Sequence, residues 1–266
     1  MVSPRQLKEW NLDLDLKGKK AIVTGGTRGI GRAIAELLAD EGCDLAVCAR
    51  GRAGIDETRA ALASKGVKAF GGTVDVADRQ SLRGWVEEAA GLLGGLDIFV
   101  ANVSALERAW AMDEESWRLG LEIDVMGTVA GVEAAIPHLE KSGNGSIIVI
   151  GTIAAIEIVG AARPYAAVKA ALAPYVKALS RNLAVKGVRA NIVSPGNIYF
   201  AGGFWNGVEH SNPDLFKTIL ARSPMGRMGT AEEVANAVVF LASPRASFIT
   251  GTSLIVDGAF TQRVQF

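Results

Sequence analysis

The sequence predicts an α/β fold: one doubly wound domain in which helices cover both faces of a mostly parallel, seven-stranded sheet. Short apolar runs rich in β-branched residues alternate along the chain with Ala-, Leu- and Glu-rich segments of helical spacing. The runs have no polar face, which is typical of parallel strands buried on both sides. No Pro- or Ser-rich linker interrupts the alternation, so residues 1–266 are predicted to form a single domain with an N-terminal extension, 1–15.

Each element follows from this alternation. The predicted strands are 21–24, 45–49, 69–74, 96–100, 146–151, 188–193 and 253–256. Helical spacing is found in segments such as 31–41, 78–93, 114–139, 164–186 and 230–241. The segment 195–224 departs from the pattern, because it combines glycines at 202, 203 and 207 with several large apolar residues. We expect it to be loop-like and to form a substrate loop or lid over 197–224.

Composition and charge exclude several classes of protein. Hydrophobic residues make up 49% of the chain, enough for a large core, and 28 basic residues balance 28 acidic ones, which excludes a strongly basic nucleic-acid binder. No apolar run approaches the ~20 residues of a membrane span, and the N-terminus lacks the apolar core of a signal peptide. Cys43 and Cys48 are too few for a disulfide framework, and no Cys/His/carboxylate cluster indicates a metal. A soluble, cytoplasmic protein without nucleic-acid or membrane partners is expected.

A glycine-rich turn leads from the first predicted strand directly into a helix, with the sequence Thr24-Gly-Gly-Thr-Arg-Gly-Ile-Gly31. Glycines allow a tight turn, and a helix N-terminus offers free N–H groups and a positive dipole end to a diphosphate. The spacing is GxxxGxG, so the generic GxGxxG fingerprint is not matched. An ordinary tight strand-to-helix connection therefore stays an alternative for this turn taken alone.

The end of the second predicted strand indicates which dinucleotide this turn would bind. An NAD site usually has an acid there, but Asp44 stands at the opposite end of the strand. Arg50 stands at the correct end, and Arg28 is available from the glycine turn; guanidinium groups suit a 2′-phosphate. NADP(H) is favoured, with NAD(H) possible. The alternative is that Arg50 and Arg52 are solvated surface residues.

A Tyr–Lys pair indicates the chemistry. Tyr165 and Lys169 are separated by four positions, so on a helix the phenol and the ammonium share one face. Thr152 lies at the end of the fifth predicted strand, the edge of the sheet at which parallel α/β folds bind ligands. These three side chains can therefore meet at one site.

Five motifs occur together in chain order: the glycine turn, Asp75, the Thr152/Tyr165/Lys169 set, and the runs Asn191-Ile-Val-Ser-Pro-Gly196 and Val256-Asp-Gly258. From about residue 16 onward the chain thus resembles the short-chain dehydrogenase/reductase family. The resemblance implies a single Rossmann-type domain, a nicotinamide cofactor, a small-molecule alcohol or ketone substrate, and a homotetramer (or homodimer).

The family's roles transfer to matching positions. The resemblance implies that Tyr165 is the acid/base, that Lys169 and the oxidised nicotinamide lower the phenol's pKa from near 10, and that Thr152 binds the substrate oxygen in place of the usual serine. Asp75 would contact adenine, or instead cap the following helix. The predicted cofactor-binding residues are Gly25, Thr27, Arg28, Gly29, Ile30, Gly31, Arg50, Asp75, Val76, Asn102, Tyr165, Lys169, Pro195, Gly196 and Ile198.

Three positions depart from the family pattern. Asp124 stands where the family has a relay Asn, and an ionised carboxylate cannot donate a hydrogen bond and would perturb Lys169. Asp124 is the fourth candidate catalytic residue, with its relay role open. The family's Asn-Asn-Ala-Gly is here Ala101-Asn-Val-Ser104, and Phe200 replaces a threonine near the diphosphate.

An aromatic cluster in the segment 197–224 indicates the substrate pocket; its members are Tyr199, Phe200, Phe204 and Trp205. Aromatic side chains bring a large apolar area with few rotatable bonds, which suits a lid over a hydrophobic ketone. The alternative is that the cluster, Trp205 above all, packs into a neighbouring subunit. The predicted pocket residues are Ser104, Ile153, Tyr199, Phe204 and Trp205.

The sequence thus predicts an NADP(H)-dependent carbonyl reductase or alcohol dehydrogenase. A nucleotide-binding protein of the same fold with little redox activity, a sensor or an assembly subunit, is the alternative that Asp124 and the altered Asn-Asn-Ala-Gly motivate. Retention of both Tyr165 and Lys169 argues against it, because binding alone needs no phenol. A lyase or dehalogenase would be expected to lose the glycine turn or the lysine, and neither is lost.

Overall fold

A seven-stranded, all-parallel sheet with helices on both faces forms the protein, as the sequence predicts. The computed structural model describes residues 13–158 and 163–264, so most of the predicted N-terminal extension lies outside the described residues. The strand order is β3-β2-β1-β4-β5-β6-β7, a doubly wound Rossmann-type order with its reversal between β1 and β4. The strands are β1 (Lys20–Thr24), β2 (Asp44–Ala49), β3 (Ala69–Thr73), β4 (Ile98–Ala101), β5 (Gly145–Ile150), β6 (Val188–Pro195) and β7 (Ser253–Val256).

Helices on the two faces of the sheet enclose two separate cores. Side chains of α3, α5 and α7 fill the core on one face, and those of α1, α2 and α10 fill the other. The α-helices are α1 (Gly29–Asp40), α2 (Arg52–Ala63), α3 (Arg79–Leu93), α4 (Glu114–Gly120), α5 (Thr128–Ser142), α6 (Pro164–Ala170), α7 (Leu172–Leu183), α8 (Phe204–Ser211), α9 (Pro213–Ala221) and α10 (Ala231–Ala242). No helix of the described ranges is both long and apolar enough to span a membrane.

The two cores explain why the predicted strands are apolar throughout. In β1, Ile22 points into one core while its neighbours Ala21 and Val23 point into the other. Successive side chains of a strand alternate between the two faces of the sheet. A strand covered on both faces therefore buries all of its side chains, and its sequence is apolar throughout.

The segment predicted as one helical stretch over 114–139 is divided into three parts. Between α4 and α5, residues Leu121–Gly127 form a π-helical segment. Such wide turns occur mostly as single insertions, and they are frequent at functional sites. Hydrophobic spacing does not reveal the insertion, because apolar residues continue along both flanking helices. The stretch 164–186 is likewise divided, into α6, α7 and the 3₁₀ turn Ala184–Lys186.

The prediction that 195–224 is loop-like is wrong, because the segment contains α8 and α9. Two of its glycines, at 202 and 203, precede α8, and only Gly207 lies within it. Asn212 separates the two helices, and its side chain accepts a hydrogen bond from the Leu215 N–H at the start of α9. Pro213 occupies the first turn of α9, where its missing N–H costs nothing. Gly202, Gly203 and Pro213 therefore mark the starts of helices.

Candidate active site

A cavity of about 450 Å³ opens at the carboxyl edge of the sheet, over the reversal of strand order. Ligands of open α/β sheets bind at such a reversal. Most of the residues predicted from the sequence meet there. Those that line it are Gly25, Thr27, Arg28, Ile30, Gly31, Arg50, Asp75, Val76, Asn102, Ser104, Thr152, Tyr165, Lys169, Pro195, Gly196, Ile198, Phe204 and Trp205.

The glycine turn is shaped by close contacts. A Cβ at Gly31 would overlap the Gly25 carbonyl oxygen and the Asn102 amide, so only glycine fits there. Asn102 fixes the turn by donating to the carbonyl oxygens of Thr24 and Gly25, each at 3.1 Å. Gly29 has a φ of +52°, and the Phe200 ring occupies the place of its missing side chain. The turn is thus held by Asn102 after β4 on one side and by Phe200 of the segment 197–224 on the other.

Helix α1 begins at this turn without a side-chain cap and with no acidic residue in its first turn. Its first N–H groups and its positive dipole end therefore face the cavity without a competing anion, which suits a diphosphate.

The arginines at this end of the cavity differ in their partners. Arg50 is exposed, and no described carboxylate lies within ion-pair distance of it. Arg28 donates to the Glu107 carboxylate at 2.7 Å and to the Gly202 carbonyl oxygen at 3.1 Å, so it connects the glycine turn, the loop after β4 and the lid. Arg52 pairs with Asp56 on α2. Arg50 is therefore the guanidinium most available to a 2′-phosphate.

Asp44 and Asp75 are the two acids that could act at the adenosine end of the site, and they lie at opposite edges of the sheet. Asp44 lies at the amino edge of the sheet, where it accepts a hydrogen bond from the Lys68 N–H, far from the cavity as expected. Asp75 lines the cavity and accepts from the Ala77 N–H. Asp78, and not Asp75, caps α3, so the capping role considered for Asp75 is excluded.

Tyr165 and Lys169 lie on the short helix α6, four residues apart, and both line the cavity. Pro164 occupies the first turn of this helix. The Lys169 ammonium donates to the Ile150 carbonyl oxygen at the end of β5, at 3.0 Å. Thr152 follows β5 and accepts from the Ala154 N–H at 3.2 Å, which leaves its own hydroxyl hydrogen free to donate.

The groups around the Tyr165 phenol include some that raise its pKa and some that lower it. Burial raises the pKa of Tyr165, and the charge of Asp124 acts in the same direction. The Lys169 ammonium and the hydroxyls of Thr152 and Ser104 lower the pKa without cancelling the effect of burial. The Lys169 charge thus favours the ionised phenol, and Ser104 adds a second hydroxyl at the phenol.

The aromatic part of the lid packs within the same chain. Phe204 contacts Trp110 with ring centroids 4.6 Å apart and Trp205 with centroids 5.3 Å apart. The Arg163 guanidinium also lies over the Trp110 ring, 4.1 Å from its centroid. The start of α8 thus packs against the loop after β4, and its residues Phe204 and Trp205 line the cavity.

Four predicted site residues do not line the cavity. Gly29 lies in the turn beneath Phe200, and Asp124 is buried behind Lys169. Ile153 is buried in a small core together with Ile219, Met228 and Phe260. Tyr199 packs against this core and hydrogen-bonds to the Glu209 carboxylate and the Asn206 amide of α8. Ile153 and Tyr199 thus belong to this small core and do not line the cavity.

Sequence reasoning passed over Leu106, Glu107 and Arg108, which line the cavity after β4. Their position just beyond the carboxyl end of a parallel strand is the signal that could have found them. Arg108 is exposed, and no described acid pairs with it. Within residues 13–158 and 163–264 no group of three His, Cys, Asp or Glu side chains could hold a metal ion.

Comparison with known proteins gives consistent matches. A family model described as enoyl-(acyl carrier protein) reductase matches residues 25–261. Isoepoxydon dehydrogenase of Penicillium expansum is 39% identical over 259 residues, covering 96% of this chain and 99% of that protein. Cis-4-hydroxycyclohexanecarboxylate dehydrogenase of Sinomonas cyclohexanicum is 36% identical, covering 91% and 96%. The crystal structure of a short-chain dehydrogenase from Burkholderia cenocepacia in complex with NADP matches with a TM-score of 0.84 and 32% identity, covering 92% and 98%.

A doubly wound sheet carries, at one cavity, a glycine turn that leads into an uncapped helix and a Tyr–Lys pair. Together with these relatives, these features define an NAD(P)-dependent oxidoreductase. The chain belongs to the short-chain dehydrogenase/reductase family. The resemblance found in its motifs is thereby confirmed.

Proposed function

We propose that the protein transfers a hydride between NADP(H) and the carbonyl or secondary alcohol of a small hydrophobic substrate. The observation that carries the proposal is that Tyr165, Thr152 and Lys169 line the same cavity as the glycine turn. A protein that only bound a nucleotide would have no use for a phenol flanked by an ammonium and two hydroxyls.

The residues present fit a nicotinamide dinucleotide phosphate. The uncapped start of α1 would hold the diphosphate, and Lys169 has an ammonium hydrogen left for a ribose hydroxyl. Arg50 would hold the 2′-phosphate, since its guanidinium has no acidic partner among the described residues. Pro195, Gly196 and Ile198 line the opposite part of the cavity and would contact the nicotinamide end.

The chain's own residues supply the proton chemistry. The cofactor, when bound, supplies or takes up the reducing equivalent. Tyr165 would donate its phenolic proton to the carbonyl oxygen during reduction and take a proton from the alcohol during oxidation. Thr152 would hold the same oxygen by donating its hydroxyl hydrogen. Lys169 would act on the phenol by its charge, which lowers the pKa of Tyr165.

The shape and lining of the cavity support a small substrate with an apolar body. Phe204 and Trp205 line the cavity with two aromatic rings packed edge to face, and Ser104 adds a polar group near the phenol. The Sinomonas relative is named for a secondary alcohol on a cyclohexane ring that also carries a carboxylate. Arg108, unpaired at the cavity, is a suitable partner for such a carboxylate. Small ring ketones are therefore the first substrates to test.

The test is NADPH oxidation with a panel of ketones that includes cyclohexanones with and without a carboxylate. We expect turnover with at least one member, and a drop of about 10²-fold or more in Tyr165→Phe, because the ring stays and only the ionisable oxygen is lost. The variant should still bind NADPH. Lys169→Ala should lose both turnover and cofactor affinity. If Tyr165→Phe turns over within tenfold of the parent, the assignment of the acid/base is wrong.

A second function is favoured by one observation: Lys169 is paired with a buried carboxylate, Asp124. A sensor or assembly subunit that binds NADP(H) without redox turnover would bind the cofactor and oxidise no NADPH with any ketone of the panel. The cytoplasmic location, the single domain and the homotetrameric or homodimeric assembly stay predictions from the sequence.

A further inference from the structure

The ion pair between Asp124 and Lys169 is almost completely buried. Asp124 Oδ1 lies 3.0 Å from Lys169 Nζ, and the two side chains are 1% and 2% exposed. Apart from this ion pair, no described group donates a hydrogen bond to Oδ1. Removing one member of a buried pair leaves the other charge uncompensated, so the two side chains act as a unit.

The backbone holds Asp124 in this position. It lies in the middle of the π-helical segment, and its second oxygen, Oδ2, accepts a hydrogen bond from the Ala105 N–H at 3.1 Å. Ala105 follows Ser104 directly, so the carboxylate also fixes the segment that carries the second hydroxyl at the phenol. Lys169 is held in turn by the Ile150 carbonyl oxygen. The carboxylate and the ammonium therefore each have two fixed partners.

The charges that face the phenol can be named. From α6 comes Lys169, from the π-helical segment Asp124, and from β5 and the loop after β4 only the hydroxyls of Thr152 and Ser104. The remaining charged groups of the cavity are on the glycine turn, after β2 and β3, and after β4, and none is among the groups that act on the phenol. These remaining groups are Arg28, Arg50, Asp75, Glu107 and Arg108.

The ion pair with Asp124 changes the electrostatic effect of Lys169 on the Tyr165 phenol. A lone ammonium beside a phenol favours the phenolate, because opposite charges attract. Here a carboxylate at 3.0 Å balances that ammonium, and its charge acts on Tyr165 in the opposite direction. The asparagine that the family has at this position would carry no charge, so the balance is a property of this chain.

We propose that Asp124 is a positioning residue whose carboxylate fixes the Lys169 ammonium and keeps the Tyr165 phenol protonated near neutral pH. The site is thereby prepared to donate a proton to a carbonyl, while alcohol oxidation, which needs the phenolate as base, requires alkaline pH. In the reduction Tyr165 would give its phenolic proton to the carbonyl oxygen, the cofactor, when bound, would supply the hydride for the carbon, and the phenolate would then take up a proton from solvent. This inference rests on the proposed function.

The test is Asp124→Asn, which removes the charge but keeps an oxygen for the Ala105 N–H. The pH dependence of kcat/KM is measured for ketone reduction and for oxidation of the matching alcohol. We expect the alkaline fall of the reduction and the alkaline rise of the oxidation to move together to lower pH, by about one unit. The matched control is Glu122→Gln on the same π-helical segment, whose carboxylate is half exposed and pairs with Arg79 at the surface. It should leave both profiles unchanged.

A purely structural role predicts a different result. If both rates of Asp124→Asn fall in parallel while the pH profiles stay where they are, the proposal is wrong. If the variant does not fold, tyrosinate absorbance of the parent and of Tyr165→Phe, both saturated with NADP⁺, gives the protonation state of Tyr165 directly. A phenolate already present at pH 7 would overturn the proposal. Full turnover by Tyr165→Phe would instead refute the proposed function, so the two failures are distinguishable.

Discussion

At the scale of single residues, the choice of cofactor depends most on Arg50. Its guanidinium stands at the end of β2, lines the cavity and has no described acidic partner, whereas Arg28 is engaged by Glu107 and Gly202. A charge-assisted hydrogen bond contributes about 1.5–3 kcal/mol, which corresponds to roughly 10–150-fold in affinity.

The double variant Ala49→Asp/Arg50→Ala should therefore lose about 10-fold or more in kcat/KM for NADPH and gain with NADH, since the aspartate offers an acceptor to a ribose 2′-hydroxyl. Initial rates with both cofactors check this. Arg52→Ala is the matched control, because Arg52 already pairs with Asp56 and should leave the preference unchanged. A parent enzyme that works equally well with NADH would contradict the role of Arg50.

Most residues of the site could be predicted because their positions follow local rules. The glycine turn between a strand and a helix, and the four-residue spacing of Tyr165 and Lys169, are short-range patterns. The pairing of Arg28 with Glu107 joins residues 79 positions apart, and neither side chain has a pattern that indicates the other. Asp124 could be recognised as unusual, but its contact with Lys169 depends on a π-helical insertion that apolar spacing does not show.

At the scale of elements, α8 is the part of the lid that contacts both the cavity and the loop after β4. Phe204 lines the cavity and packs between Trp110 and Trp205. Because this wall is apolar, Phe204→Ala should raise KM for a bulky apolar ketone several-fold, with cofactor affinity and subunit assembly unchanged.

Steady-state kinetics, a cofactor titration and size exclusion check this together. Phe216→Ala is a suitable control, since Phe216 on α9 packs against the small core and does not line the cavity. Dissociation of Phe204→Ala on size exclusion, with kinetics altered only as a consequence, would show that the aromatic cluster belongs to a subunit interface.

An ion pair between Arg227 and Glu233 lies at the start of α10. It predicts that the free energy of unfolding depends on pH. Arg227 and then the Thr230 N–H lower the pKa of Glu233 to about 2. A carboxylate whose pKa is lowered on folding stabilises the protein above its unfolded pKa, and this contribution is lost as the pH falls toward 2. Glu233→Gln should therefore reduce the free energy of unfolding by about 1 kcal/mol at pH 7, a modest figure because Glu233 and Arg227 are 40% and 49% exposed.

Denaturant unfolding of parent and variant at several pH values checks this. The difference between the two should shrink steadily below about pH 4.5. Glu232→Gln, the neighbouring acid with no ion pair among the described residues, is the matched control. A difference that stays constant down to pH 3 would mean that the charge of Glu233 is not the cause.

At the scale of the whole molecule, a cofactor bound at the cavity would connect β1, β2, β3, β4, β5 and β6 at their carboxyl ends, because residues after each of these strands line it. A ligand that binds only the folded state at 100 times its Kd stabilises that state by about 2.7 kcal/mol. For a chain of this length that corresponds to a Tm higher by roughly 5 °C or more.

NADP⁺ should therefore raise the Tm more than NAD⁺ at equal concentration, and Arg50→Ala should remove most of the difference. A thermal melt followed by circular dichroism checks this. An equal shift with both dinucleotides would contradict the predicted preference, and no shift with either would contradict cofactor binding at this cavity.

The π-helical segment Leu121–Gly127 also fixes the rotational phase between α4 and α5. One residue of α-helix corresponds to about 100° of rotation around the axis. Deleting a single residue here would let α4 and α5 join as one regular helix, but it would change the rotation of the segment's own residues around the helix axis and carry Asp124 away from Lys169. Insertions and deletions in this segment should therefore be tolerated far less than substitutions. Selection would preserve the number of residues in the segment more strictly than their identity.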